Sequence, residues 1–199
     1  MVGIPARNSR NRRRPFADFH VYNRERNRDP IVFDDEDRRY FLWLIRRYLS
    51  TVPHADSRGR PYGSHRGRVQ LLAYSLMLNH FHLVIRQLQA GGMEKLMHAV
   101  MTSYVRYFNK RHGETGALFD GRYRAAIKLD RRSKLNAIAY VHDNHSLECC
   151  CEFCSHRFYV GTSDTPSWIE ARDGISLFGG EGEYLDYRRM RAGMSAIAG

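Results

Sequence analysis

The sequence lacks any apolar run long enough to span a membrane, and its N-terminus has no hydrophobic core of the kind that directs secretion. A soluble, cytoplasmic protein with no membrane partner is therefore expected. Cysteine is confined to Cys149, Cys150, Cys151 and Cys154. That cluster is too tight to form a disulfide framework across a fold, so a reducing compartment is expected. Cys151 and Cys154, with His156 nearby, form half of a structural zinc signature; such sites draw ligand pairs from separated segments, so buried or idle thiols are the expected reading. Acid is also in short supply: 21 acidic residues face 32 lysines and arginines, a formal charge of +11. The excess favours an anionic polymer as partner, nucleic acid ahead of an anionic membrane surface. With 199 residues the chain can bury one proper core with an appendage, whereas two full domains would be cramped.

Residues 1–15 hold Arg7, Arg10, Arg12, Arg13 and Arg14 with no acid, and read as a disordered basic arm. The run from Phe16 to Glu25 reads as a first strand carrying His20. Asp34, Asp35, Glu36 and Asp37 supply a cap and an acidic first turn to a helix whose Phe41, Leu44, Ile45, Tyr48 and Leu49 repeat at helical spacing. Val52 to Gly67 reads as a mobile basic loop, in which Arg58 and Arg60 are candidate DNA contacts. From Arg68 to Leu78 the chain is almost continuously apolar, as a buried strand should be. After Asn79 the pattern alternates, so Phe81, Leu83 and Ile85 face one way while His80, His82 and Arg86 face the other. Two imidazoles one strand repeat apart can share a metal ion, or can simply be solvated or satisfied polar groups.

Met93 to Phe108 traces a long amphipathic helix whose methionines are core filling. The run from Asn109 to Arg124 interleaves basic groups with aromatics and glycines, which suits phosphate contact and base stacking. Lys110, Arg111, Arg122, Tyr123 and Arg124 are its candidate DNA contacts, and Arg24 at the end of the first strand joins them. Tyr123 to Leu129 reads as a fourth strand and Arg131 to Leu147 as a further helix. The order βαββαβ, then α, predicts an α+β ferredoxin-like antiparallel sheet with the histidine strand in its interior, residues 16–147, followed by a C-terminal extension draped over it, residues 148–199.

In the last helix Asn136, Tyr140 and Asn144 recur every four residues and share one polar side. A divalent ion on His80 and His82, completed by a neutral oxygen such as that of Asn144, would keep open positions for a phosphate oxygen. Tyr140, one turn before Asn144, would then stand beside it as a nucleophile, and a covalent phosphotyrosine link would let a second strand be joined. Mixed imidazole and oxygen ligands fit Mg²⁺ or Mn²⁺.

The run Met77, Leu78, Asn79, His80, Phe81, His82, Leu83 resembles the HUH motif of single-tyrosine transposases, most closely the REP-associated tyrosine transposase branch. Further similar stretches follow in order: His20 to Asn27 with Phe33 and Asp37, Tyr104 to Asn109, Gly116 to Tyr123, and Tyr140 through Asn144. Ser155 to Gly161 and the Trp168 region also look like that branch's extension. The resemblance implies metal-dependent cleavage and rejoining of single-stranded DNA near hairpin or palindromic repeats, in association with the bacterial nucleoid. It implies a 5′-phosphotyrosine intermediate on Tyr140 and metal ligation by His80, His82 and Asn144. A monomer or a homodimer is compatible with it. The sequence departs at Leu78, where the branch commonly has proline, and after Asn144, where His145, Ser146 and Leu147 replace a usual Pro-Val and offer His145 as a rival ligand. The alternative function is a domesticated DNA-binding protein without chemistry.

Overall fold

The computed structural model of the chain describes residues 13–24, 30–52, 54–145 and 152–197. The basic arm up to residue 12 and Cys149, Cys150 and Cys151 lie outside the described residues. Strands β1 (Ala17–Arg24), β2 (Val69–Leu76), β3 (His80–Gln87) and β4 (Arg124–Lys128) form one sheet in the order β2-β3-β1-β4. Every pairing is antiparallel. This is the ferredoxin-like arrangement expected from the element order, with the histidine strand inside the sheet.

Helices α1 (Asp35–Leu49) and α2 (Gly92–His112) cover one face. The apolar alternation of β3 decides which: Phe81 meets Phe41 of α1 at 5.1 Å between ring centres, and Phe41 meets Tyr104 of α2 at the same separation. Asp34 starts α1 by accepting the backbone N–H groups of Glu36 and Asp37, both at 3.0 Å. The end of α2 then docks on the start of α1. Arg111 donates to both carboxylate oxygens of Asp34 and also to Asp37 and Glu36, while His112 reaches Asp37 at 2.9 Å. Burial alone would raise the Asp37 carboxyl, but the Phe33 N–H, His112 and Arg111 outweigh it and hold it below the usual carboxylate range. Arg111 therefore joins two helices, and its charge is compensated by three carboxylates.

The opposite face carries α3 (Arg131–Asp143), which crosses β2, β3 and β4, and α5 (Ala171–Phe178), which packs on β2. Helix α3 stops at Asp143 rather than Leu147, because the side-chain amide of Asn144 turns back and donates to the carbonyl of Tyr140 at 2.8 Å.

The C-terminal extension is not draped over a finished domain; it is part of the core. Its first segment closes the open edge of β2, where Leu76 donates to the Phe153 carbonyl (2.9 Å), Ser155 to that of Tyr74 (3.0 Å) and Glu170 to that of Leu71 (2.8 Å). Helices α4 (His156–Tyr159) and α6 (Glu181–Ile197) then bury Tyr159 and Tyr184 completely. The charged half of the β3 polar face is structural at its far end: Arg86 bonds Asp18 of β1 (2.9 Å) and Asp173 of α5 (3.1 Å). No helix among the described residues is long and apolar enough to cross a membrane.

Candidate active site

The site lies where β1 and β2 end and β3 and β4 begin. Strand pairing sets Tyr22 directly opposite His82 and His20 opposite Val84, so His20, Tyr22, His80 and His82 share the face that α3 covers. Helix α3 brings Tyr140 to them. Its ring stands edge-on to His82 at 5.3 Å and to His20 at 5.5 Å between ring centres. His80 and His82 lie 5.0 Å apart between ring centres and perpendicular, so the two imidazoles would be available to one ion. A cavity of about 490 Å³ opens here, lined by Tyr22, Asn23, Asn79, His80, His82, Asp120, Arg124 and Tyr140. All of these belong to one chain.

Hydrogen bonding fixes both imidazoles. Nδ1 of His80 meets Oδ1 of Asn79 at 2.6 Å; an amide oxygen only accepts, so Nδ1 of His80 carries the proton and the ring lone pair is on Nε2. Nδ1 of His82 meets Nε2 of His20 at 2.9 Å. Metal-holding imidazoles are commonly tied through the other ring nitrogen in this way. Burial, aided by the charge of Lys128, lowers His20 to about 4. Burial, with some help from His20 and His80, lowers His82 to about 3. His82 is therefore neutral at pH 7 and need lose no proton to act as a ligand.

This burial has a consequence for stability. In the unfolded chain these histidines titrate near 6.5, and His142, fully buried in α3, is also held well below that value by burial. Below about pH 6.5 the unfolded state binds protons that the folded state refuses, so stability is complete above that pH and falls as pH drops toward 4. Thermal unfolding followed from pH 7.5 to 4.5 should show Tm falling steadily below about 6.5, with protons taken up on unfolding.

The remaining sequence candidates are distributed as follows. Asn144 and His145 do not line the cavity. Arg124 does, and Arg122 and Tyr123 precede it on the loop that forms the cavity mouth. That loop is built in: Phe119 is buried against Phe81, and the Gly121 carbonyl accepts from the Asn23 amide at 3.2 Å. Lys110 is exposed near the end of α2, and the side chain of Arg24 lies outside the described residues. Arg58 and Arg60 belong to the loop before Val69, at the far end of the sheet, roughly 23 Å along β2 from its Leu76 end. Tyr104 and Tyr107 serve packing: Tyr104 is buried and donates to the Ile31 carbonyl at 2.7 Å, and Tyr107 stacks on Tyr40 with ring centres 3.7 Å apart. Sequence reasoning missed Tyr22, Asn23, Asn79 and Asp120 as cavity residues. The alternation of Asp18, His20 and Tyr22 along β1 is the signal that could have found the first.

Among the described residues no group of three or more His, Cys, Asp or Glu side chains is arranged to hold a metal ion. An ion here would rest on two imidazoles and on neutral or external oxygens.

No protein-family model matches the sequence, and no curated protein matches it significantly. Eight chains from solved structures are similar, two of them as follows. One, a REP-associated tyrosine transposase bound to a REP hairpin, superposes over 77% of this chain and 84% of its own, with TM-score 0.51 and 11% identity. The other, a Deinococcus radiodurans protein named as a transposase, covers 67% of this chain and 95% of its own, with TM-score 0.41 and 12% identity. By its fold, the chain is similar to a REP-associated tyrosine transposase.

Proposed function

We propose that this protein is a DNA strand transferase that cuts and rejoins single-stranded DNA beside hairpin-forming repeats, with Tyr140 as its nucleophile. The observation that carries the reading is the meeting of His80, His82 and Tyr140 in one cavity, from a strand and a helix far apart in sequence. A hairpin substrate is suggested by the fold neighbour, which was solved with a REP hairpin.

His80 and His82 would hold a divalent ion, Mg²⁺ or Mn²⁺, with the oxygen of Asn144 as the third protein group. Both rings are tied through Nδ1, which fits that role. When bound, the ion would act as a Lewis acid on a non-bridging phosphate oxygen. The chain's own residues do the rest. Tyr140 is 45% exposed at the cavity wall, so its hydroxyl can meet a phosphodiester without local unfolding. Its oxygen attacks phosphorus, the bond to the 3′ oxygen breaks, and the DNA is left as a 5′-phosphotyrosine and a 3′-hydroxyl. The phenol proton leaves to solvent and the departing 3′ oxygen gains one. Attack by another 3′-hydroxyl on the phosphotyrosine reverses the step, rejoining DNA and restoring Tyr140. Arg124, at the cavity wall, with Arg122 beside it in sequence, and the exposed Lys110 of α2 supply phosphate attraction without reading sequence.

One observation favours the rival reading of a DNA-binding protein without cleavage. The Asn144 side-chain NH₂ is committed to the carbonyls of its own helix, and the residue does not line the cavity. Incubation with single-stranded hairpin DNA and Mn²⁺ separates the two. The transferase reading expects a covalent protein–DNA band that resists denaturant; salt-sensitive binding with no such band across hairpins of varied flanks would support the rival.

A further inference from the structure

We infer that His20 is a positioning residue of this site, one that sets the tautomer of His82 and props the ring of Tyr140. The inference rests on the reading of His80 and His82 as metal-holding residues. His20 does not line the cavity; it sits behind it on β1, with its Nε2 2.9 Å from Nδ1 of His82. Its ring also contacts Tyr22 at 5.2 Å and Tyr140 at 5.5 Å between centres. A single half-buried imidazole thus touches both a proposed ligand and the proposed nucleophile.

The bond between the two rings holds one proton, and its direction decides what His82 can do. If His20 donated from Nε2, neutral His82 would accept at Nδ1 and carry its own proton on Nε2, leaving no lone pair for an ion. If His82 donates from Nδ1, its Nε2 carries the lone pair, and His20 must be protonated at Nδ1. The two ring nitrogens lie on opposite sides of the imidazole, so with Nδ1 turned to His20 the Nε2 side of His82 is the one presented to the cavity it lines. Ligation selects the second arrangement. An acceptor at position 20 favours it in advance, which is how partners behind a ligand raise metal affinity. His80 is met at Nδ1 by the Asn79 oxygen, so each imidazole is oriented through Nδ1 by a neutral partner. The cross-strand register supplies the placement: His20 is opposite Val84, one strand repeat from His82 on the same face.

The test uses the full-length protein and Mn²⁺ alone, with affinity read by calorimetry. His20→Phe keeps a ring against Tyr140 but removes the acceptor, and should weaken Mn²⁺ binding by about 10- to 100-fold. His20→Gln restores an acceptor oxygen and should recover most of that loss. Histidine nitrogen NMR of the wild-type protein gives a check that needs no variant: His82 should be protonated at Nδ1 and bare at Nε2. Wild-type Mn²⁺ affinity in a folded His20→Phe protein, or an Nε2-protonated His82, would overturn the inference while leaving the metal reading intact. A wild-type protein that takes up no Mn²⁺ would remove the metal reading itself, and this inference with it.

Discussion

Replacing Tyr140 with phenylalanine should abolish the covalent DNA adduct and lower strand cleavage by at least about 10³-fold, because the phenylalanine ring carries no oxygen to attack phosphorus. DNA binding should change by no more than about twofold, since the basic residues around the cavity are untouched. The substitution is a clean one. Tyr140 is largely exposed, and the phenylalanine ring retains the edge contacts with His20 and His82. Tyr104→Phe provides the contrast. It removes a buried hydrogen bond to the Ile31 carbonyl and should cost stability of about 1–2 kcal/mol without ending the chemistry. Gel analysis of adducts beside filter binding on the same proteins measures both quantities.

The second large effect is expected far from the cavity, at Arg188 of α6. This guanidinium is 1% exposed and ties the extension to the helix that bears Tyr140. It donates to Asp143 at 2.9 Å and to the His142 carbonyl at 3.2 Å, and it lies 3.1 Å from Nδ1 of His156. Behind it, the Tyr184 hydroxyl joins His156 (2.6 Å) to His142 (2.9 Å), and His142 meets Ser155 at 2.7 Å. Arg188→Ala would take a partner from the His142 carbonyl, the Asp143 carboxylate and the buried His156 ring. A loss of about 3–5 kcal/mol is expected, a fall in Tm of about 6–15 °C for a chain of this size. Arg188→Lys should recover little of it, because one ammonium cannot reproduce the fork. Calorimetric unfolding of the two variants checks the assignment; a fall of only a degree or two would mean that α6 is an appendage after all.

That network also shows why the C-terminal region was hard to read from sequence. Tyr184, Arg188 and His156 carry no clean apolar stripe; their burial depends on partners in α3 and β2, which no local pattern encodes. The sheet was legible because period-two alternation and near-continuous apolar runs mark β2 and β3 directly. His80, His82 and Tyr140 were legible for a related reason, since each sits in phase on a regular element. Arg111 lies in a basic stretch, and its pairing with Asp34, Glu36 and Asp37, more than seventy residues earlier, is encoded by no local pattern. Nor does charge say which end of a strand is occupied by a loop such as that of Arg58 and Arg60. The end of α3 was set too late because the Asn144 amide, rather than a glycine or proline, terminates the helix.

The central claim is that Tyr140 forms a covalent bond to DNA beside the His80–His82 pair. Peptide mapping by mass spectrometry tests it most directly, after reaction of the full chain with single-stranded hairpin DNA and Mn²⁺ and digestion of the DNA to a nucleotide stub. The account predicts one modified peptide, containing Tyr140, with the added mass on that tyrosine. A stub on any other residue, or none under conditions where the DNA is cut, would contradict it.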